Sequence, residues 1–354
     1  MKPVIILAVD TSCDDTSVAV TCNDRVLSSI VSSQIDVHKE WGGVVPNLAR
    51  REHEKMIDEC ILLALKRAKL QSIDQVTALA VTYGPGLAPA LEVGVRTIKQ
   101  LAITHNRPVV AVNHMEGHTL SALLCNSRGR NYAGLTKPAF PLMALCVSGG
   151  HTEIVWVEKI GVYKLLGQTL DDAAGEAFDK VSRMLDLGYP GGPIISTLAE
   201  QGDPTAYPLP RPMKQSGDYN FSFSGLKTAC LYNTNELKSQ LGKQFAKIIP
   251  DYCASFQAAV IDCLVSKTVA AARDHKPTQV LLGGGVSANK ELRKRLRQAC
   301  KGLGIPAYFP APRFSTDNAA MIGLAGYYKL LRGEIVTDVQ SLDRDPSITI
   351  EDHL

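Results

Sequence analysis

The chain has 354 residues, 45% of them hydrophobic and 21% charged, with a formal net charge of +3. That balance is typical of a soluble globular protein of about two domains or lobes. No run approaches the roughly 20 consecutive apolar residues of a membrane-spanning helix, which argues against a membrane partner, and so small a net charge neither requires nor forbids a nucleic-acid partner.

Strands and helices alternate, which predicts an α/β architecture. The start, Met1–Ile6, leads straight into a strand. It has neither the apolar core and cleavage site of a signal peptide nor the arginine-rich helix of a transit peptide, so a cytoplasmic location is expected. Val4–Val9 reads as a strand, Asp10–Asp15 as a polar turn, and Ser17–Thr21 and Val26–Ser32 as further strands. Glu52–Leu70 is an amphipathic helix with Met56, Ile57, Cys60, Ala64, Leu65 and Ala68 near one face. Val76–Thr82 is a strand ending at Gly84-Pro85-Gly86, and the helix Ala88–Thr104 follows. Val109–Val112 is a short strand, with Asn113 placed to cap the next helix. Residues 126–140 are polar and glycine-containing and mark a lobe boundary. Beyond it, Leu142–Val157 repeats the strand, polar turn, strand pattern of Ile6–Val20, which predicts a duplication. Helices are expected near Ala173–Leu185 and Ile194–Gln201, then over Tyr252–Asp274, Asn289–Leu303 and Asn318–Leu331. The proline-rich loop Asp203–Tyr219 has the length of a lid or a disordered segment. The expected organisation is lobe I over residues 1–134, lobe II over 135–311, and a C-terminal segment 312–354 packing back on lobe I.

The nine cysteines contain no Cys-x-x-Cys pair, and Cys60, Cys146 and Cys263 have apolar neighbours. They read as reduced, mostly buried thiols, not as a zinc site. A metal site is indicated elsewhere. His114 and His118, in His114-Met115-Glu116-Gly117-His118, stand four apart on a predicted helix and share one face. The best third ligand is Asp317, at the start of another helix. Two imidazoles and one carboxylate leave coordination positions open, as a working metal requires. Taken alone, the histidine pair is better explained by hydrogen bonds to backbone carbonyls in a packed core. The glycine turns change that balance. Ser148-Gly149-Gly150 joins two strands and lets backbone N–H groups approach an anion. Gly283-Gly284-Gly285 ends a strand and leads to Asn289 at a helix start, a favourable place for phosphate. Each turn alone also fits a tight connection that binds nothing; both together indicate a nucleotide cleft. Asp14 and Asp15 in the first turn suit a general base or a carboxylate holding a metal-bound water, though on their own an Asx turn explains them better. Lys290, Arg293, Lys294, Arg295 and Arg297 crowd one helix and fit either a phosphate backbone or a solvated face; Arg50-Arg51 and Lys66-Arg67 read the same way.

With these residues in view, the chain resembles the bacterial TsaD type of tRNA threonylcarbamoyl transferase, formerly called O-sialoglycoprotein endopeptidase. The matching strings include Thr11-Ser12-Cys13-Asp14, Gly42-Gly43-Val44-Val45-Pro46, Gly84-Pro85-Gly86-Leu87 and the His114–His118 run. They continue with Val147–Thr152, Asp171–Lys180, Tyr189–Pro193, Phe221–Thr228, Gly283–Asn289 and Thr316-Asp317-Asn318, in order over residues 4 to 331. The resemblance implies an actin/sugar-kinase/Hsp70-like α/β fold of two lobes with duplicated mixed sheets. It implies transfer of a threonylcarbamoyl group from threonylcarbamoyl-AMP to the exocyclic amine of the adenosine next to the anticodon, in tRNAs reading codons that begin with A, giving t(6)A and AMP. Carried over by position, His114, His118 and Asp317 hold one divalent metal per subunit, Fe2+ by resemblance with Zn2+ as the alternative. Cys146, Val147, Ser148, Gly149, Gly150, Asp179, Gly192 and Asn289 line the adenylate site, and Asp14 is the acid/base residue. The implied partners are tRNA, a TsaB-like paralogue, for which the helix Glu52–Leu70 offers a face, and a TsaE-like ATPase. The chain departs from the family pattern at Asp10 and Asp15, where glutamates are usual, at Arg313-Phe314-Ser315, at Ala319, and in its acidic tail Asp343–Leu354. The alternatives are a metal-dependent endopeptidase, an ATP-dependent small-molecule kinase of the same fold, and a non-enzymatic scaffold. Against the endopeptidase, Glu116 lies roughly 200° around the helix from His114, away from a shared metal.

Overall fold

The computed structural model describes residues 3–135 and 137–352. The expectations for Met1, Lys2 and the last two residues of the tail lie outside the described residues. By proximity the chain forms two compact units. The first comprises Met1–Pro138, Glu158–Lys164 and Phe309–Leu354, and the second Ala139–Val157 and Leu165–Tyr308.

In the first unit, the expected early strands form β1 (Ile5–Asp10), β2 (Asp15–Cys22) and β3 (Arg25–Ser33), paired antiparallel. A short helix α1 (Ile35–Lys39) follows, then α2 (Pro46–Arg67). Helix α2 begins six residues before the start read from its apolar stripe, because Pro46 in its first turn fixes φ where the missing N–H costs nothing. Next come β4 (Ala78–Gly84), α3 (Ala88–His105), β5 (Val109–Asn113) and α4 (His114–Leu120). The sheet order is β3-β2-β1-β4-β5, with β4 and β5 parallel to β1. Side chains alternate across β1. Leu7 and Val9 join Ile57, Ile61, Leu65 and Ile98 from α2 and α3 in one core. On the other face, Ile6 and Ala80 pack under Gly326, close enough that an added Cβ there would sit 3.0 Å from Ala80. The acidic tail is a strap. Asp345 N–H donates to the Tyr83 carbonyl, Asn113 Nδ2 donates to the Thr349 carbonyl, and Leu342 and Ile348 enter the core.

The second unit holds β6 (Leu142–Val147), with β7 (Thr152–Lys159) and β8 (Val162–Gln168) beside it in the sheet, then α5 (Ala174–Met184) and α6 (Gly191–Ala199). Helix α7 (Ser224–Leu241), unanticipated from the sequence, precedes α8 (Phe245–His275), β9 (Gln279–Gly283), α9 (Lys290–Gly302) and β10 (Ala307–Tyr308). The last helix, α10 (Ala319–Leu331), belongs to the first unit and lies on its sheet. The second sheet runs β8-β7-β6-β9-β10, the same order as the first when each sheet is counted from its own first strand. Its β6–β7 pair is antiparallel and its β6–β9 pair parallel, as in the first sheet. The helical stretch Ser224–His275, α7 and α8 together, contains a window long and apolar enough by composition to cross a bilayer, but 67% of that window is buried inside the protein, as in a packed core.

Candidate functional site

Strand β5 ends at Asn113, whose side-chain oxygen accepts from Met115 N–H at 2.8 Å and Glu116 N–H at 3.3 Å. That cap starts α4 immediately at His114 and fixes the angle at which both histidines leave the sheet. Asp317 is set by a second asparagine cap, with Asn318 Oδ1 accepting from Met321 N–H at 3.1 Å. The Ala319 N–H also donates to Ser17 Oγ on β2 at 2.7 Å, tying the start of α10 to the sheet. The three side chains converge. His118 Nε2 lies 3.0 Å and His114 Nε2 3.5 Å from the same Asp317 oxygen, and the three possible ligand atoms lie within 4.8 Å of one another. Ligand atoms of a tetrahedral ion held at 2.0–2.1 Å stand about 3.3 Å apart. Spacing and donor chemistry therefore both fit a divalent metal.

Behind the histidines lies Asp10. Its Oδ2 is 3.4 Å from His114 Nδ1, and its Oδ1 accepts from Ser12 N–H at 3.2 Å. Burial opposes charge on His114, yet the flanking Asp10 and Asp317 carboxylates raise its pKa. Burial and the neighbouring His114 lower that of His118. Asp317 is half-buried, and the two imidazoles hold its carboxyl well below the usual carboxylate range, against the effect of desolvation. Asp14 and Asp15 lie in the same turn. Burial, then the Asp317 charge, raises the pKa of Asp14, while burial pushes Asp15 up to about 7. Such a gathering of carboxylates favours a cation.

Three residues that the sequence reading did not single out brace this turn. His53 Nε2 donates to the Cys13 carbonyl at 2.9 Å and its Nδ1 accepts from Thr16 Oγ1 at 2.7 Å. Gln34 N–H donates to the Asp14 carbonyl at 3.0 Å, and Gln34 Oε1 accepts from His38 Nε2 at 3.0 Å. The only sequence signal was a polar residue at a core position of a helix, which His53 shows inside the predicted Glu52–Leu70 stripe. Glu116 faces elsewhere. Its Oε1 accepts from Tyr163 OH at 2.8 Å and lies 3.7 Å from Arg332, so it is already engaged away from the histidines, contrary to what a metallopeptidase base requires.

The residues expected to line an adenylate site all lie in the second unit. Cys146 and Val147 are fully buried in β6, so neither side chain is exposed to a ligand. The turn after them closes tightly, with Ser148 N–H donating to the His151 carbonyl at 2.8 Å and His151 N–H to Ser148 Oγ at 3.0 Å. The start of α5 abuts it. Gly175 N–H donates to the Ser148 carbonyl, and a Cβ at Gly175 would stand 2.5 Å from that oxygen. Gly284, at φ +81°, has no room either, since a Cβ would meet the Val147 carbonyl oxygen at 2.3 Å. Both glycine turns thus pack at the carboxyl end of β6, where α/β sheets present ligand sites. A Cβ at Gly149, Gly150, Gly192 or Gly285 would have nothing within 4 Å, so these backbones face open space. Asp179 Oδ1 accepts from Gly191 N–H at 2.7 Å, holding the turn that carries Gly192. Asn289 caps α9 through Leu292 N–H, and its Nδ2 donates to Gln257 Oε1 at 2.6 Å.

Comparison with known proteins agrees in fold and family. The family model described as TsaD, tRNA N6-adenosine threonylcarbamoyltransferase, matches residues 25–324. A tRNA N6-adenosine threonylcarbamoyltransferase of Thermosipho melanesiensis is 47% identical over 346 residues, covering 98% of this chain and 100% of the relative. One from Clostridioides difficile is 44% identical over 351 residues, covering 99% of each. Component A of (R)-2-hydroxyglutaryl-CoA dehydratase from Acidaminococcus fermentans superposes with a TM-score of 0.52 at 13% identity, over 93% of this chain and 99% of that one, and shares the fold alone. The duplicated mixed sheets are those of the α/β actin/sugar-kinase/Hsp70-like class. With matched sequence from end to end and the fold in agreement, the chain belongs to the TsaD family, enzymes that transfer a threonylcarbamoyl group to N6 of adenosine in tRNA.

Proposed function

We propose that this enzyme takes its acyl group from threonylcarbamoyl-AMP and delivers it to the adenosine next to the anticodon in tRNAs reading codons that begin with A, releasing t(6)A-modified tRNA and AMP. The observation that carries the reading is the shared Asp317 oxygen within 3.0 and 3.5 Å of two imidazole nitrogens, with the Asp317 charge also helping to raise the pKa of Asp14. His114, His118 and Asp317 are the residues that would hold a divalent metal, Fe2+ or Zn2+, whose chemistry when bound is to polarise an oxygen of the mixed anhydride. Asp10 orients His114 from behind, as outer-shell carboxylates do for metal-bound histidines. The backbone amides of Gly149 and Gly150 and the Gly284–Gly285 turn hold the adenylate, with Ser148 N–H closing the turn on His151 and with Asp179 and Asn289 fixing the Gly192 turn and the start of α9.

In the transfer the adenine N6 attacks the carbamoyl carbon, the bond from that carbon to the phosphate oxygen breaks, and AMP leaves with the electron pair. The N6 proton passes to the Asp14 carboxylate. An exocyclic amine of adenine is a weak nucleophile, so a raised carboxylate pKa makes Asp14 a better acceptor than an exposed aspartate. Orientation of the two reactants supplies much of the remaining acceleration, up to ~7–11 kcal/mol in favourable cases. The reaction takes place in the cytoplasm with a TsaB-like paralogue and a TsaE-like ATPase as partners, a reading supported by the family alone. Glu116, engaged with Tyr163 and Arg332, speaks against the endopeptidase, and a histidine-rich site suits a MgATP-dependent kinase poorly because magnesium prefers oxygen ligands.

The test is a reconstituted assay with threonylcarbamoyl-AMP and tRNA. Wild type is expected to modify tRNA, and His114→Ala and Asp317→Ala to lose modification while keeping wild-type circular dichroism. Unchanged turnover in either variant removes the metal from the reaction.

A further inference from the structure

We propose that Trp41 is a stacking platform for a base of the tRNA substrate at the entrance to the Asp14 turn. The inference rests on the transferase activity and on the place given to Asp14 above.

Trp41 is 67% exposed, although tryptophan is the side chain with the largest apolar face to hide. Its segment is nevertheless held firmly at both ends. On one side Gln34 N–H donates to the Asp14 carbonyl. On the other, the His38 ring is fully buried and pinned through both nitrogens, with Nε2 donating to Gln34 Oε1 at 3.0 Å and Nδ1 accepting from Val45 N–H at 3.3 Å. Gln34 Nε2 in turn donates to the Ala49 carbonyl at 3.3 Å, and Trp41 N–H donates to the His38 carbonyl at 3.0 Å. The indole is therefore carried on a braced loop tied through Gln34 to the backbone of Asp14, and Gly42 and Gly43 follow it with φ +66° at Gly42 and open space at Gly43.

The occupant follows from the reaction. An adenine amine that is to be acylated must be presented from an unpaired segment, and unpaired bases are recognised chiefly by stacking on aromatic side chains. Lys39, exposed two residues before Trp41, and Arg51, exposed at the start of α2, supply positive charge for the flanking phosphates. A rigid platform loses little entropy when a base settles on it.

The chain has two tryptophans, so Trp156→Phe leaves Trp41 as the sole indole reporter. In that background, adding tRNA is expected to quench the emission saturably. Trp41→Ala is expected to raise KM for tRNA by about ten- to a hundredfold, the loss that removing one stacked base brings. KM for threonylcarbamoyl-AMP and kcat should change by no more than about twofold, as for binding shared by ground and transition states. Trp41→Phe keeps a ring and should recover most of the tRNA affinity, which a merely structural role would not single out. Absence of quenching, or a Trp41→Ala enzyme with wild-type KM for tRNA, overturns the proposal. Quenching in the Trp156→Phe background with no tRNA modified overturns the transferase reading, whereas tRNA modification with a wild-type KM for tRNA in Trp41→Ala overturns the platform alone.

Discussion

Glu153 offers a quantitative test of the second unit. It lies on β7 opposite Cys146 of β6, is 9% exposed, and its Oε2 has no hydrogen-bond partner among the described residues. Burial alone raises its pKa from 4.5 to about 7. The unfolded carboxyl ionises near 4.5, whereas the folded one keeps its proton until about 7. Its contribution to stability is thus fully present below pH 4.5, is lost progressively as pH rises to 7, and stays lost above. At 1.36 kcal/mol per unit the shift corresponds to about 3 kcal/mol. Glu153→Gln cannot ionise, so the variant should match wild type near pH 4.5 and exceed it by ~1–3 kcal/mol at pH 8, the lower end allowing for relaxation around the charge. Urea unfolding from pH 4.5 to 8 measures this. Trp156, three residues along the same strand, serves as a local reporter in a Trp41→Phe background. An offset between the two proteins that does not change with pH would refute the reasoning, as would a variant less stable than wild type at pH 8.

The other predictions concern the site itself. Chelation should abolish tRNA modification by wild type, with activity returning on adding Fe2+ or Zn2+; His114→Ala and Asp317→Ala should bind neither metal in a titration followed by metal analysis. Asn113→Ala removes the cap of α4 and the tie to Thr349. Its melting temperature should drop by the equivalent of about 1–2 kcal/mol, and metal affinity should weaken by about ten- to a hundredfold because both histidines lose their fixed exit. Gly175→Ala places a Cβ 2.5 Å from the Ser148 carbonyl oxygen and 2.9 Å from Gly149. The turn must move, at a cost of about 1–3 kcal/mol, and steady-state kinetics should show a raised KM for threonylcarbamoyl-AMP with KM for tRNA unchanged.

Much of this was legible in the sequence because it is local. Apolar runs placed β1 to β5 to within two residues and the repeated pattern placed β6 and β7, whereas β8 and the two-residue β10 were not read; Asn113 caps α4 as expected, and Asn289 and Asn318 cap α9 and α10. The duplication was visible as a repeated strand, turn, strand pattern, and the matching sheet orders express it. Helix α7 was missed for an identifiable reason. Its first N–H groups are satisfied by Asp171, which accepts from Phe223 and Ser224 N–H, so the cap lies 52 residues away in sequence. Helix α8 was read as starting at Tyr252, while its packing extends it back through Pro250 to Phe245.

By itself, the sequence determined the two imidazoles on one helical face, the glycine turns at strand ends and the family, since each depends on spacing along a few residues or on ordered strings. Tertiary structure alone decided that Asp317 meets His118 across 199 residues, that Asp10 backs His114, and that Glu116 turns to Tyr163 instead of a metal. Helix geometry fixes which residues share a face, but only the docking of α10 against the sheet, through Ser17 and the close approach at Gly326, sets how far one face lies from a carboxylate elsewhere in the chain.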